Sequence, residues 1–274
     1  MPELPEVETV VQTLRRMIIN KKIIKVEVFW NNIIDKITVK DFKDMIKNQK
    51  INEITRYGKV LIFELDNYYL LSHLRMEGKY FYDNKYIKDK HSHVIFYFDD
   101  NTFLRYYDTR KFGKISLSKK DELFNHPFLN KMGQEPFDIT KENLYQKIHH
   151  KNIAIKTTLL DQHIIAGLGN IYVDEVLFLA KIHPETKSSL ISIEQCQLII
   201  DNAIDVLNKA IALGGTTIRS YTSSLGVSGR FQNELNVHTK ANQPCPICQQ
   251  PIIKIKVNGR GTYLCLNCQK KLLE

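Results

Sequence analysis

The 274-residue sequence has no long apolar run and no low-complexity tract. Its longest apolar stretches, such as AIKTTLLD and QLIIDNAIDVL, are interrupted by polar residues well short of the roughly 20 residues that a membrane-spanning helix needs. It also lacks the basic start and hydrophobic stretch of a secretory signal peptide. With 43% hydrophobic and 25% charged residues it is not a disordered chain. We expect a globular cytoplasmic protein with no membrane partner.

The sequence has fewer acidic residues than basic residues. The chain has 39 Lys and Arg against 30 Asp and Glu, a formal net charge of +9. Such a charge favours a polyanionic partner such as nucleic acid, although many basic proteins bind none. The length suits one large domain or two ordinary ones.

Cysteine is scarce and unevenly placed, because four of the five cysteines fall in the last thirty residues as two pairs. This clustering favours a metal over disulfides in a reducing compartment. The fifth, Cys196, lies in the helical pattern IEQCQLIIDNAIDVL, where we expect a small buried hydrophobic side chain.

The paired cysteines have the spacing C-x2-C-x16-C-x2-C, typical of a tetrahedral zinc site. The four are Cys245, Cys248, Cys265 and Cys268. Four protein ligands leave no open position, so we expect one structural zinc ion. A pair of redox C-x-x-C motifs is the alternative, but the βαβ context is missing. The intervening IIKIKVNGRGTYL predicts a β-hairpin with Arg260 in its turn, either simply solvated or carried into a nucleic-acid groove.

Periodicity divides the rest of the chain by secondary structure. Apolar residues at Val7, Val10, Val11, Leu14 and Ile18 predict a helix with one buried face. From residue 23 to about 117, short β-rich runs separated by Asp and Asn clusters predict an antiparallel sandwich. The pattern becomes helical after residue 137, and a Gly-, Ser- and Thr-rich stretch at 214–235 predicts a long functional loop.

Five motifs occur in an order that resembles the bacterial formamidopyrimidine-DNA glycosylase family. They are PELPEVET at 2–9, HLRMEGK at 73–79, DTRKFG at 108–113, AGLGNIYVDE at 166–175 and the zinc hairpin. The resemblance runs nearly end to end and implies an α+β multidomain fold. Its parts would be an N-terminal antiparallel β-sandwich with flanking helices (1–133), a helix-two-turn-helix domain with a lesion-capping loop (134–236), and a four-cysteine zinc-finger β-hairpin (237–274).

The resemblance also implies a catalytic set of four residues. Pro2, exposed by removal of Met1, would be the nucleophile, and a stiff acidic terminus is the simpler reading of the same residues. An α-amino group has a pKa near 8 and is partly neutral at pH 7, and a secondary amine attacking C1′ of a deoxyribose yields a cationic iminium. Glu3 would be the acid–base group. Lys59 would donate a proton in β-elimination, and Arg260 would clamp the phosphate during δ-elimination.

Further site residues follow from the same resemblance. Met76, Arg110 and Phe112 would fill the gap left by a flipped nucleotide. His73, His91, Asn152, Lys156 and Asn170 would lie near the DNA backbone, although Asn152 stands where a basic residue is common. The base would be held by Glu77 and by the capping-loop residues Thr217, Ile218, Arg219, Ser220 and Tyr221. Glu175 would order the site.

The implied function is base-excision repair by a bifunctional glycosylase and abasic-site lyase. Its partner would be double-stranded DNA containing oxidised purines or abasic sites, with the protein acting as a monomer and needing no organic cofactor. An endonuclease VIII-like enzyme for oxidised pyrimidines, and a non-catalytic zinc-hairpin DNA-binding protein, remain the alternatives.

Overall fold

The computed structural model describes residues 1–85, 89–216 and 229–271, which form parts of two compact units. The first unit comprises Met1–Lys131 with Gly214–Gly229, and the second comprises Met132–Leu213 with Arg230–Glu274. Within the described residues, no helix is long and apolar enough to cross a membrane. The predicted limits of the three domains stay predictions. In the structure, Gly214–Gly229 groups with the first unit, and the zinc hairpin shares a unit with the preceding helices.

The described residues of the first unit form two α-helices and two four-stranded antiparallel sheets. Its elements are α1 Leu4–Ile18, β1 Ile23–Val28, α2 Val39–Ile46, β2 Ile51–Tyr57, β3 Val60–Leu65, β4 Tyr68–His73, β5 Lys79–Asp83, β6 Ser92–Phe98, β7 Phe103–Tyr107 and β8 Lys114–Lys119. The sheets have the orders β1-β6-β7-β5 and β2-β3-β4-β8. The chain therefore changes sheet three times, between β1 and β2, between β4 and β5, and between β7 and β8.

One apolar core joins both sheets and α1. Phe63 and Leu70 of one sheet lie in the same buried cluster as Phe96 and Leu104 of the other. The apolar face of α1 predicted from the sequence is part of this cluster as well. Burial of both inner faces is what makes two antiparallel sheets a sandwich, and the predicted sandwich is confirmed.

The second unit is helical with one two-stranded sheet. Its elements are α3 Lys141–Ile148, α4 Ile155–Leu159, α5 Asn170–Leu179, α6 Ile193–Ala212, β9 Ile253–Val257 and β10 Arg260–Leu264. Ser192 caps α6 by accepting from the Gln195 N–H at 3.2 Å. Cys196 is fully buried on α6, as predicted.

A glutamine side chain shapes the two turns between α4 and α5. Gln162 Nε2 donates to the carbonyls of Leu160 and Leu168, and its Oε1 accepts from the Gly167 N–H. Gly167 has φ 97°, a conformation that favours glycine. This connection leads from α4 to the N-terminus of α5, and the two helices with the two turns between them form the expected helix-two-turn-helix.

The zinc hairpin differs in one detail from the sequence prediction. Asn258 and Gly259 alone form the turn, with φ of 44° and 77°, because an Asn-Gly pair suits the type I′ turn of a two-residue hairpin loop. Arg260 is not in the turn: it is the first residue of β10 and pairs with Val257.

Candidate functional site

The N-terminal turn of the first unit is held in place rather than frayed. Glu3 is the N-cap of α1, and Pro5 occupies its first turn. Glu6 Oε2 accepts the Glu3 backbone N–H at 2.9 Å. Both glutamates are at least 96% buried, so the residues preceding the helix are fixed by a short, enclosed hydrogen bond.

Several ionisable groups lie within electrostatic reach of this terminus. Burial lowers the pKa of the Met1 amine, while the carboxylates of Glu3, Glu6 and Glu77 raise it and the Lys59 charge lowers it. The structure thus brings three predicted site residues, Glu3, Lys59 and Glu77, to the end of the chain that carries Pro2.

Lys59 lies close to His73, because Lys59 directly precedes Val60 and Val60 pairs with His73. Lys59 follows Gly58 in the β2–β3 turn and is only 4% exposed. Lysine side chains are rarely buried to this extent unless their charge is paired. Burial, with the charges of Arg75 and Lys59, lowers the pKa of His73 to about 3. His73 Nδ1 accepts the Arg75 N–H at 3.1 Å, so the neutral ring carries its proton on Nε2.

The predicted wedge, the three residues that would fill the gap of the flipped nucleotide, lies on two of the three connections that change sheet. Met76 is in the β4–β5 turn, and Arg110 and Phe112 are in the β7–β8 loop. Phe112 is 50% exposed, and the Arg110 guanidinium lies 4.9 Å from its ring centroid. A cation and an exposed aromatic ring held together in this way form a surface that can stack on bases.

Two glycines allow these connections to pack on one tyrosine. A Cβ at Gly78 or at Gly113 would overlap the Tyr106 hydroxyl. The Thr109 hydroxyl also donates to the Glu77 carboxylate. The β4–β5 turn and the β7–β8 loop are therefore fixed relative to each other.

Asp108 organises the wedge loop, a role that the sequence analysis did not assign. Its carboxylate accepts three backbone N–H groups, those of Arg110, Phe112 and Gly113, each at 2.9 Å. An Asp whose side chain binds the backbone two residues ahead is a known turn signal, so the D-x-R start of DTRKFG could have revealed it. His91 lies at the base of the same loop, where its carbonyl accepts the Asp108 N–H.

In the second unit, two helices hold the hairpin next to Arg260. Lys156 Nζ on α4 donates to the Gly261 carbonyl at 3.2 Å and to Thr262 Oγ1 at 2.9 Å. Asn170 Nδ2 at the start of α5 donates to the same Gly261 carbonyl at 3.0 Å. Arg260 itself is exposed. The structure therefore connects three predicted DNA-binding or catalytic residues through the hairpin backbone.

Lys156 belongs to a buried ionic cluster. It is fully buried and forms an ion pair with Asp174 at 2.6 Å, and the other Asp174 oxygen accepts from His238 Nδ1 at 2.8 Å. Asp174 was missed by the sequence analysis, although it stands beside the assigned Glu175. The predicted contact of Lys156 with DNA stays a prediction, and its amine is directed at protein oxygens here.

Glu175 secures the chain that leads to the zinc hairpin. Its carboxylate accepts the backbone N–H groups of Asn236, Val237 and His238 at 2.7–3.0 Å. Glu175 was predicted to order the site, and in the structure its contacts lie in the second unit, at the chain leading to the hairpin.

Asn152 lies on an open groove of ≈ 490 Å³ beside the hairpin. Lys187, Lys256 and Lys271 also line this groove, with one carboxylate, Glu185, that pairs with Lys271 at 3.2 Å. The surplus of positive charge suits phosphate groups. The neutral Asn152 therefore stands in a basic setting.

The four paired cysteines form the zinc site. All four Sγ atoms lie within 4.8 Å of one another. Cys245 and Cys268 are 3.8 Å apart, and Cys248 and Cys265 are 3.4 Å apart. Zinc–sulfur bonds of about 2.3 Å require tetrahedron edges of about 3.8 Å, so the donor set fits zinc. Gln269 supports it by accepting the Cys265 N–H and donating to the Ile182 carbonyl.

The remaining predicted site residues lie outside the described part of the chain. They are Thr217, Ile218, Arg219, Ser220 and Tyr221.

Three family models match successive parts of the chain. Residues 1–115 match the formamidopyrimidine-DNA glycosylase N-terminal domain, and residues 132–222 match the H2TH domain of the same enzymes. Residues 242–271 match the zinc finger found in FPG and IleRS.

Curated relatives match over the full length. A formamidopyrimidine-DNA glycosylase of Exiguobacterium sibiricum is 48% identical over 100% of both chains. One from Mycoplasma mobile is 46% identical over 98% of this chain and 99% of the relative.

Solved structures agree with the sequence matches. A mutant Lactococcus lactis FPG bound to Fapy-dG-containing DNA has a TM-score of 0.92 at 42% identity, covering 98% of this chain and 100% of the other. A complex of the Lactococcus lactis protein with abasic-site DNA has the same score, identity and coverage. A complex of that protein with DNA containing an oxidised pyrimidine has a TM-score of 0.91 at 42% identity, with the same coverage.

Proposed function

Because this chain belongs to the formamidopyrimidine-DNA glycosylase family, we propose that it excises oxidised purines from double-stranded DNA and then cleaves the abasic site by β,δ-elimination. The relatives named for this activity match over nearly the whole chain. The observation that carries the proposal is the fixed N-terminal turn, where Glu3, Lys59 and Glu77 lie within electrostatic reach of the chain terminus. The substrates are 8-oxoguanine and formamidopyrimidines.

The reaction begins at Pro2 once Met1 has been removed. The neutral amine attacks C1′ of the flipped nucleotide, a nitrogen–carbon bond forms, and the glycosidic bond breaks. Glu3 supplies and removes protons as the sugar ring opens. The resulting iminium withdraws electrons from the sugar, so a C2′ proton is lost and the 3′ phosphate leaves. Lys59 is the proton donor of this step, and Arg260 stabilises the 5′ phosphate that leaves in the second elimination.

Recognition relies on residues that need not touch the reacting atoms. Met76, Arg110 and Phe112 occupy the space of the extruded nucleotide, and Arg110 hydrogen-bonds the unpaired cytosine. His73, His91, Asn152, Lys156 and Asn170 contribute to the phosphate side. Glu77, with Thr217, Ile218, Arg219, Ser220 and Tyr221, holds the oxidised base. Zinc, bound by the four cysteines, supplies no chemistry and keeps the hairpin folded.

Borohydride trapping tests the proposed nucleophile. The protein with a free Pro2 should form a covalent adduct with abasic DNA, whereas the same protein carrying an N-terminal extension should form none, because Pro2 is then an amide. Equal trapping by both forms would show that another amine attacks. No trapping by either form would favour a DNA-binding protein without catalysis.

Oxidised pyrimidines are the second candidate substrates, because the complex of the Lactococcus lactis protein with oxidised-pyrimidine DNA shows that such lesions reach this fold. We expect faster cleavage of 8-oxoguanine:C than of thymine-glycol:A duplexes under single-turnover conditions. Equal or faster cleavage of the pyrimidine lesion would reverse the assignment.

The expected setting is the bacterial cytoplasm, with the protein monomeric and associated with the nucleoid during repair. Sedimentation with and without lesion DNA tests the monomer: one protein per duplex supports it, and two would contradict it.

A further inference from the structure

We propose that Glu6 is a positioning residue for the nucleophile, acting by fastening the Pro2–Glu3 peptide to the chain at Gly215 and Thr216. This inference rests on the proposed function, because it assumes that Pro2 is the attacking amine. All the residues that carry it belong to the first compact unit.

The Glu6 carboxylate connects two parts of the chain that are 210 residues apart. Its Oε2 accepts the Glu3 N–H at 2.9 Å. Its Oε1 accepts both the Thr216 N–H at 2.8 Å and the Thr216 hydroxyl at 3.0 Å. Glu6 is 4% exposed and Thr216 is 5% exposed, so water does not compete freely for these bonds. Hydrogen bonds to a buried charged acceptor are among the stronger ones in proteins.

The Glu3 N–H is the group through which Glu6 can orient Pro2. That N–H belongs to the planar peptide whose carbonyl is Pro2's own. A proline ring fixes φ, so Pro2 as an N-terminal residue has a single free backbone torsion, ψ. Holding the peptide plane fixes the position of the Pro2 Cα, so the amine can change direction only by rotation about the Pro2 Cα–C bond. No contact with the DNA is required.

A pair of glycines makes room for the Glu6 carboxylate. Gly215 has φ 76°, and a Cβ there would lie 2.7 Å from Glu6 Oε1. A Cβ at Gly229 would in turn overlap the Gly215 carbonyl. The close approach at Gly215 is independent of the hydrogen bonds, and it shows that this stretch is shaped to receive the carboxylate.

Two substitutions separate this role from a general structural one. Thr216→Val removes one hydroxyl bond to Glu6 and preserves the side-chain shape. Glu6→Gln leaves a single acceptor for three donors and turns an N–H₂ group toward one of them. Thr13→Val is the matched control, because its hydroxyl bonds the Thr9 carbonyl on α1 and does not touch Glu6.

The readout is the single-turnover rate of borohydride trapping on preformed abasic DNA, with affinity measured separately on a tetrahydrofuran duplex. We expect Thr216→Val to slow trapping about threefold to tenfold and Glu6→Gln at least tenfold, at unchanged affinity, as loss of one or more charged hydrogen bonds implies. Excision of 8-oxoguanine should fall by the same factor in each variant, since both reactions use the same amine. Thr13→Val should match wild type.

The double variant provides the decisive comparison. If Glu6 and Thr216 act as one unit, Thr216→Val should have little further effect on a Glu6→Gln background. Wild-type trapping by Thr216→Val, a loss confined to DNA affinity, or additive effects in the double variant would each overturn the inference. Failure of the proposed function is distinguishable, because the wild-type protein itself would then give no adduct.

Discussion

Individual side chains in the first unit are tuned by what surrounds them. His73 illustrates the effect, because burial and two nearby positive charges disfavour its protonated form. Asp108 shows the complementary case, a buried carboxylate that accepts three backbone N–H groups. We therefore expect both residues to affect the stability of the first unit.

The first residue-scale prediction concerns acid stability. In the unfolded chain His73 takes up a proton near its ordinary pKa of 6.5, whereas in the folded state it does so only near 3. Its contribution to stability is full above about pH 6.5 and declines as the pH falls toward 3. His73→Gln should therefore flatten the loss of unfolding free energy between pH 7 and pH 4.

Urea denaturation followed by Trp30 fluorescence measures this directly, since Trp30 is the only tryptophan and belongs to the first unit. His150→Gln, on an exposed ring in the other unit, is the control. A His73→Gln pH profile parallel to wild type would contradict the assignment.

The second residue-scale prediction concerns Asp108. Asp108→Asn leaves one oxygen for three N–H donors, so we expect a loss of about 1–3 kcal/mol in the unfolding free energy of the first unit. Cleavage of lesion DNA should also weaken, because Arg110 and Phe112 lose their fixed loop. Asp121→Asn, at an exposed site, should change neither quantity. Wild-type stability in Asp108→Asn would show that the loop is held in another way.

At the scale of elements, functional groups are carried by connections and oriented by the elements beside them. Two of the three sheet-changing connections carry the predicted wedge, and α4 and α5 hold the backbone beside Arg260. Arg260 can reach the leaving phosphate only if α4 and α5 hold the tip of the hairpin in place. The buried Lys156–Asp174 pair is therefore expected to influence the second elimination.

Lys156→Met tests this expectation through the ratio of products. Removal of the lysine leaves Asp174 buried with one fewer partner, and breaking such a pair costs about 3–5 kcal/mol. We expect a lower melting temperature and a larger share of β-elimination product, which retains the sugar fragment, over β,δ-elimination product. Lys147→Met on α3 is the control. An unchanged product ratio in a folded Lys156→Met protein would show that Arg260 does not depend on this cluster.

At the scale of the whole molecule, the two units have separate cores. The first is the sandwich cluster, and the second includes a small cluster in which Phe178 packs with Val237, Ile252 and the cysteines Cys245 and Cys265. The smaller cluster is built around the metal site. Loss of zinc should therefore act locally.

Zinc removal should abolish DNA binding before it affects the sandwich. Chelation leaves four thiols without a ligand partner, and the hairpin that carries Arg260 loses its order. Lesion-DNA binding should fall while Trp30 fluorescence stays native, and added zinc should restore binding. Normal binding by a demonstrably zinc-free sample would contradict this division.

Salt dependence tests the basic surface as a whole. Affinity for DNA should fall linearly on a log–log plot with salt, because bound phosphates release counterions. Lys256→Gln, in the groove beside the hairpin, should reduce the slope by about one if that lysine contacts a phosphate. Lys40→Gln, an exposed lysine on the first unit, should leave it unchanged. A salt-independent affinity would rule out a basic DNA-binding surface.

Much of the site could be found from the sequence because its chemistry depends on residue type and short spacing. Cys245 and Cys248, with two residues between them, can reach one metal in any hairpin of this kind. The Asn258-Gly259 pair favours a two-residue hairpin turn, although Arg260 was also predicted to lie in that turn. Pro2 and Glu3 were predicted as catalytic residues because PELPEVET resembles the start of the glycosylase family.

Contacts between distant residues could not be found in this way. Asp174 meets His238 and Lys156, and Glu6 meets Thr216, only because packing brings remote segments together. No local periodicity encodes such pairs. The sequence by itself determined the sandwich, the helices and the zinc ligands, since these follow from local pattern and residue chemistry, and it predicts a reactive terminus. Only the tertiary structure decided which buried charges hold that terminus and the hairpin, because a buried charge must find its partner in space, wherever that partner lies along the chain.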